Sequence, residues 1–294
     1  MSDDLEVYLR ELATGNRLYF YPNHGNAGDS LIAFATYRLF EKLGIDYRII
    51  DNWQEFNAHG KTVVYGGGGN LAKSYREARD FIQAHHESAH RLVVLPHTVN
   101  GHAELLRRLG NNVEILCREA VSYRYLQRQS PHLKCRLMHD LAFTIDVRDI
   151  LGTRGKLPTG PLARRWWRDT RRDWRWRLVT PRRFKTGVLN AFRTDGERSN
   201  PDLPERNIDV SRRFAFDAFD PVATAYVTRR LLTFIDRFEV IRTDRLHVCI
   251  AAAFLNKDVE FYANNYYKCE AVWLHSMKGR FNNVRWMDTS PTPT

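Results

Sequence analysis

Three short segments and two single residues carry the groups that acid–base and anion-binding chemistry requires. Arg242-Thr243-Asp244-Arg245-Leu246-His247 stands where a short strand ends and an apolar helix opens. The first turn of a helix offers unpaired N–H groups and a partial positive charge, which favour an anion. Arg245 supplies a planar fork that matches phosphate or carboxylate. His247 can give or take a proton near neutral pH. A lone histidine at such a place is more often structural; an arginine two residues before it turns the reading toward function. Arg193 follows a strand expected over 186–191, and Lys268 follows one expected over 259–262. Each alone reads as a surface charge. In a Rossmann-like fold, both would converge with Arg245 and His247 on one cleft.

The second segment is Asn23-His24-Gly25-Asn26-Ala27-Gly28-Asp29-Ser30, between a strand and a helix. Its glycines allow close backbone approach, and Asp29 or Ser30 can cap the helix. Such a loop suits an acidic ligand or a sugar; a plain β–α turn with an N-cap accounts for the same residues. The third is Gly66-Gly67-Gly68-Gly69-Asn70-Leu71, directly after an apolar strand. Four glycines cost backbone entropy, so the chain needs unusual dihedrals or close ligand contact there. Ligands of doubly wound sheets bind outside the carboxyl ends of strands.

The elements that position these residues alternate along the chain. Strands are expected over 17–21, 45–50, 62–65, 91–95 and 113–117. Helices are expected over 30–43, 75–86, 103–109 and 119–129. The pattern restarts with strands over 186–191, 239–242 and 259–262 and helices over 221–238 and 246–255. This is the signature of an α/β protein with parallel sheets. It predicts two Rossmann-like domains facing across a cleft, over 1–150 and 184–294. Between them, 151–183 forms a basic, Trp-rich interdomain segment. There Arg164, Arg165, Arg168, Arg171, Arg172, Arg175 and Arg177 interleave with Trp166, Trp167, Trp174 and Trp176. Two readings fit: attachment to an anionic membrane surface, and a linker helix whose tryptophans cover the domain junction.

Composition narrows the function classes. The chain has 294 residues, 43% of them hydrophobic, and a net charge of +11. That charge implies an anionic partner or surface. The basic residues are spread out and no nucleic-acid-binding motif occurs, so nucleic acid is not the expected partner. Cys117, Cys135, Cys249 and Cys269 form no CxxC pair and read as buried thiols of a cytosolic protein. His85, His86, His90, His97 and His102 show no metal-ligand spacing and read as surface or loop residues; no metal or cofactor is expected. The acidic Met1-Ser2-Asp3-Asp4 opens no apolar run, so no secretory leader is expected. No run approaches the ~18 apolar residues of a spanning helix. A cytoplasmic protein results, soluble or peripheral to the inner face of the cell membrane.

Taken in order, the segments resemble the polysaccharide pyruvyl transferase family. The matching pieces are His24-Gly25-Asn26-Ala27-Gly28-Asp29, Gly67-Gly68-Gly69-Asn70-Leu71, Arg118-Glu119 with Ser122, Asp140-Leu141-Ala142-Phe143, Arg193, Arg245-Leu246-His247 and Tyr266-Tyr267-Lys268. The resemblance implies a fold similar to GT-B glycosyltransferases, phosphoenolpyruvate as donor, and a sugar or lipid-linked oligosaccharide as acceptor. It places Arg193, Arg245 and Lys268 on the donor, with His247 as general acid. It places Asn26, Asp29, Gly68 and Asn70 on the acceptor, Asp29 also serving as candidate base. The expected product is a pyruvate ketal on an exopolysaccharide or its precursor. A nucleotide-sugar-dependent glycosyltransferase of the same fold type is the alternative.

Overall fold

Runs of β-branched and aromatic residues form parallel strands wherever helices cover both sheet faces. The computed structural model describes residues 3–152, 163–164, 167–168, 171, 187–199 and 202–287. Most of the Trp- and Arg-rich segment lies outside these. The chain divides into two compact units. One comprises residues 1–25, 29–145 and 267–280, the other 26–28, 146–266 and 281–294.

Among the described residues the first unit holds a seven-stranded sheet. Its strands are β1 (Leu18–Tyr21), β2 (Tyr47–Ile49), β3 (Thr62–Tyr65), β4 (Gly68–Ala72), β5 (Arg91–Asn100), β6 (Val113–Cys117) and β7 (Lys134–Leu137). The order is β2-β1-β3-β5-β6-β7, with β4 also paired to β5, and every pairing is parallel. In β3 and β6 every residue is buried, as a sheet covered on both faces requires. Helix α1 (Asp3–Ala13) docks through Leu5, Tyr8, Leu9 and Leu12, spaced at helical intervals. Its Tyr8 hydroxyl donates to Glu114 of β6 at 2.9 Å. Buried Glu114 also accepts from Arg91 and Arg136, both at 2.8 Å, and so is not left as an isolated charge.

Strand β5 runs to Asn100, five residues beyond the expected end. Pro96 explains how. It has no N–H to donate to a ladder, and the register shifts there, between Val94 and His97. Up to Val94 the strand pairs with β3; from His97 it pairs with β4. The glycine run is therefore only partly a turn. Gly66 and Gly67 make the step, and Gly68 and Gly69 already belong to β4.

In the second unit the described strands are β8 (Val188–Asn190), β9 (Val240–Thr243), β10 (Asp258–Tyr262) and β11 (Val284–Met287). They form a parallel sheet in the order β11-β10-β9-β8. The helix Pro221–Ile235 starts on Asp220, whose side chain accepts from the N–H groups of Val222 and Ala223. Pro221 occupies the first helical position, where its missing N–H costs nothing. The helix Leu246–Phe254 is buried along most of its length. The chain is thus a mixed α/β protein with parallel sheets. Among the described residues no helix is long and apolar enough to cross a membrane. Cys117, Cys249 and Cys269 are buried, Cys135 is half-buried, and among the described residues none of the four forms a disulfide.

Candidate functional site

In the second unit the carboxyl ends of the neighbouring strands β8 and β9 bring Arg193 and Arg245 together. Both side chains are nearly buried, each residue about 5% exposed. Asp195 joins them: Arg193 Nε donates to one of its oxygens at 2.7 Å, and Arg245 Nη2 lies 2.8 Å from the other. Glu197 stands 2.6 Å from Arg193 Nη1, and Asp209 accepts from Arg245 Nη2 at 2.5 Å. Burial pushes the Asp195 carboxyl up. The Arg193 hydrogen bond and the two guanidinium charges outweigh it and hold the group well below the usual carboxylate range. The arginines therefore do not present bare positive charge; carboxylates already occupy several donors. Arg245 Nε is buried and makes no hydrogen bond among the described residues. Asp244 Oδ1 accepts from the Arg193 backbone N–H at 2.8 Å, and burial raises its pKa to about 6. Thr243 completes the join between strands: its hydroxyl donates to the Ala191 carbonyl at 2.8 Å and accepts from the Arg245 N–H at 3.0 Å.

His247 occupies the first turn of the helix Leu246–Phe254 and is half-buried. Residues Asn26–Gly28 are grouped with the same unit. The Gly28 N–H donates to Asn26 Oδ1 at 2.8 Å. A Cβ added at Gly28 would stand 2.7 Å from His247 Nδ1. Only a glycine lets this backbone lie against the imidazole.

The other predicted residues belong to the first unit. Asp29 accepts from Asn23 Nδ2 at 3.1 Å. Asn23 Oδ1 accepts from the Tyr65 hydroxyl at 3.0 Å, and Asn70 Nδ2 donates to that hydroxyl at 3.0 Å. The backbone N–H groups of Asn70 and Leu71 both point at His97 Nε2, at 3.1 and 3.3 Å. The glycine run is demanded by these neighbours. A Cβ at Gly66 would stand 2.5 Å from the Asn23 nitrogen, and one at Gly68 would run into the Asn23 side chain. One at Gly69 would stand 2.7 Å from Arg118 Nη2 and 3.6 Å from Lys268 Cδ. The run makes close contacts with the protein's own side chains. Lys268, half-buried at the start of the helix Lys268–Val272, thus lies beside Gly69. The preceding Tyr267 donates its hydroxyl to the Val99 carbonyl at 2.9 Å.

Several residues here were not among the expected site residues. His97 is completely buried, and His85 and His86 nearly so. This corrects their reading as surface or loop residues, since the long β5 carries His97 into the sheet interior. Burial, and then the charge of Arg118, lower the His97 pKa to about 3. The unfolded chain takes up this proton below about pH 6.5, whereas the folded one refuses it until about pH 3. The stability this gives is present above pH 6.5 and is lost as pH falls through that window. Thermal melts of His97→Gln should show a smaller Tm loss between pH 7 and 4.5 than the parent chain; equal losses would contradict the assignment. Arg118 pairs with Asp140 at 2.7 Å, both about 1% exposed, and its Nε donates to Thr98 Oγ1 at 2.8 Å. Glu119 caps the helix Ala120–Gln129 by accepting from the N–H groups of Val121 and Ser122. Ser122 Oγ in turn accepts from the Val99 N–H at 2.7 Å. The signal that could have found this network was the order Arg118-Glu119…Ser122…Asp140, each polar residue set within apolar sequence. Among the described residues no group of His, Cys, Asp or Glu is arranged to hold a metal ion.

Known proteins resemble the chain over nearly its whole length. The chain is 23% identical over 297 residues to a Bacillus subtilis protein named "Putative pyruvyl transferase EpsO", covering 92% of this chain and 85% of that one. A solved structure from Klebsiella pneumoniae, an uncharacterized protein KP1_0663, superposes with a TM-score of 0.79 at 28% identity. It covers 98% of this chain and 99% of its own. The family model described as polysaccharide pyruvyl transferase matches residues 26–265, from the loop beside His247 to the segment before Lys268. The chain belongs to the polysaccharide pyruvyl transferase family.

Proposed function

We propose that this transferase moves the pyruvyl group of phosphoenolpyruvate onto a pair of sugar hydroxyls of a polysaccharide or its lipid-linked precursor. A pyruvate ketal forms and phosphate is released. The pairing of two Rossmann-like domains in the manner of GT-B enzymes belongs to the same reading, as do a cytoplasmic location and peripheral contact with an anionic membrane. The observation that carries the reading is the Arg193–Arg245 pair, nearly buried at the carboxyl ends of β8 and β9. Phosphoenolpyruvate brings a carboxylate and a phosphate. These exchange for the carboxylates of Asp195 and Asp209 on the two guanidinium forks, and a donor oxygen satisfies Arg245 Nε. Lys268 adds a further cation for the donor.

The chemistry follows from the substrate. An enol carbon resists attack by alcohols until C3 is protonated. His247 delivers that proton, and C2 becomes oxocarbenium-like. One sugar hydroxyl attacks C2, phosphate departs, and the second hydroxyl closes the ketal. Asn26, Asp29, Gly68 and Asn70 hold the acceptor, because keeping two hydroxyls near one carbon is chiefly a positioning task. Arg245→Ala should weaken phosphoenolpyruvate binding roughly 30-fold or more, as truncating a buried charged partner does. Titration calorimetry on folded protein checks this, and unchanged affinity would contradict it.

A further inference from the structure

The loop after β1 holds a second group built for proton transfer. His24 Nδ1 lies 3.0 Å from Glu77 Oε1. The Tyr21 hydroxyl donates to that same oxygen at 2.9 Å and stands 2.8 Å from His24 Nδ1. One assignment satisfies all three groups: the hydroxyl and the Nδ1–H both donate to the Glu77 carboxylate. This tautomer makes Nε2 the basic nitrogen, as in any carboxylate–histidine dyad.

The dyad is held from several sides. Glu77 is the first residue of the helix Glu77–His85, where the helix end favours a carboxylate. The Tyr21 ring stacks on Phe81 at 5.1 Å and meets the His24 ring edge-on at 4.8 Å. Aromatic packing of this kind fixes side-chain rotamers, which a preorganised catalytic group needs. The dyad is nonetheless accessible: the His24 and Glu77 side chains are 34% and 33% exposed. It lies at the carboxyl end of β1, two residues before Asn26 in the sequence. Asp29, the other candidate base, is instead engaged by Asn23.

We infer that His24 is the general base that takes the proton from the attacking sugar hydroxyl, with Glu77 and Tyr21 as positioning residues. This rests on the pyruvyl-transfer reading and names the base in it. The acceptor O–H bond breaks, its oxygen bonds to C2 of the protonated donor, and the proton passes to His24 Nε2. Closing the ketal releases two hydroxyl protons in all. One replaces the proton delivered to C3, and the other leaves with phosphate. Asp29 then holds the hydroxyl without deprotonating it.

The test compares the parent chain with His24→Ala and Glu77→Gln, using phosphoenolpyruvate, a panel of glycosides and phosphate release. His24→Ala should lower kcat/KM for the acceptor by about 10²–10⁴-fold. Its affinity for phosphoenolpyruvate should stay within about twofold of the parent's, and added imidazole should restore turnover. Glu77→Gln should show a smaller loss, and the acidic limb of the acceptor kcat/KM profile should vanish in His24→Ala. A merely structural His24 would give neither imidazole rescue nor a changed pH profile. Folded His24→Ala with near-parental turnover, or without rescue, overturns the assignment while leaving pyruvyl transfer standing. A parent chain that releases no phosphate with any glycoside overturns both.

Discussion

His247→Ala leaves a folded protein whose turnover is lower by about 10²–10⁴-fold, the usual effect of losing a general acid. His247 sits in the first turn of a helix that is buried along most of its length, and it is itself only half-buried. Alanine there has a higher helix propensity, so the helix should still form. The imidazole also lies against the backbone at Gly28, where a Cβ would stand 2.7 Å from Nδ1. The loss should appear in kcat, with phosphoenolpyruvate affinity nearly unchanged, because Arg193 and Arg245 bind the donor in this account. Steady-state phosphate release and calorimetry separate the two effects. Near-normal kcat would end the assignment of His247.

Asp140→Ala should lower stability by about 3–5 kcal/mol, the range for removing one partner of a buried ion pair. Asp140 and Arg118 are both about 1% exposed and lie 2.7 Å apart. Removing the carboxylate strands a guanidinium inside the first unit and also removes the acceptor that caps Ala142. For a unit of this size that corresponds to a Tm drop of about 6–20 °C. Arg285→Ala is the contrast. Its partner Glu260 is 3.3 Å away and Arg285 is well exposed, so Tm should scarcely move. Melting curves that ranked the two variants equally would show that burial does not set the worth of these pairs.

How far the sequence disclosed the molecule depended on whether the deciding partner was local. Strands β3 and β6 were legible because both faces are covered and their residues are mostly apolar, Thr62 and Glu114 being the exceptions. Edge strand β7 was not: Lys134 and Arg136 are charged and only Cys135 and Leu137 are apolar, as an exposed edge demands. Helix α1 showed its apolar spacing, yet lay ahead of the first strand and was passed over. The glycine run was read as a need for unusual dihedrals or close ligand contact; Gly68 has a positive φ, and the side chains packed against the run, Asn23 and Arg118, lie tens of residues away in the chain.

The site divided in the same way. Arg193, Arg245 and His247 stood out by residue type at strand ends. Their carboxylate partners Asp195, Glu197 and Asp209 did not, because acidic residues in loops ordinarily face solvent. The true environment of His97 depended on how far β5 continues past Pro96, which periodicity does not report. The order of the short segments identified the family, which the match over residues 26–265 bears out.

The decisive measurement is incubation of the purified chain with phosphoenolpyruvate and a panel of glycosides, following phosphate and the mass and charge of the sugar product. Pyruvyl transfer predicts stoichiometric phosphate release and a product that gains one carboxylate as a cyclic ketal. Consumption of a nucleotide sugar with nucleotide release, while phosphoenolpyruvate stays intact, would contradict it.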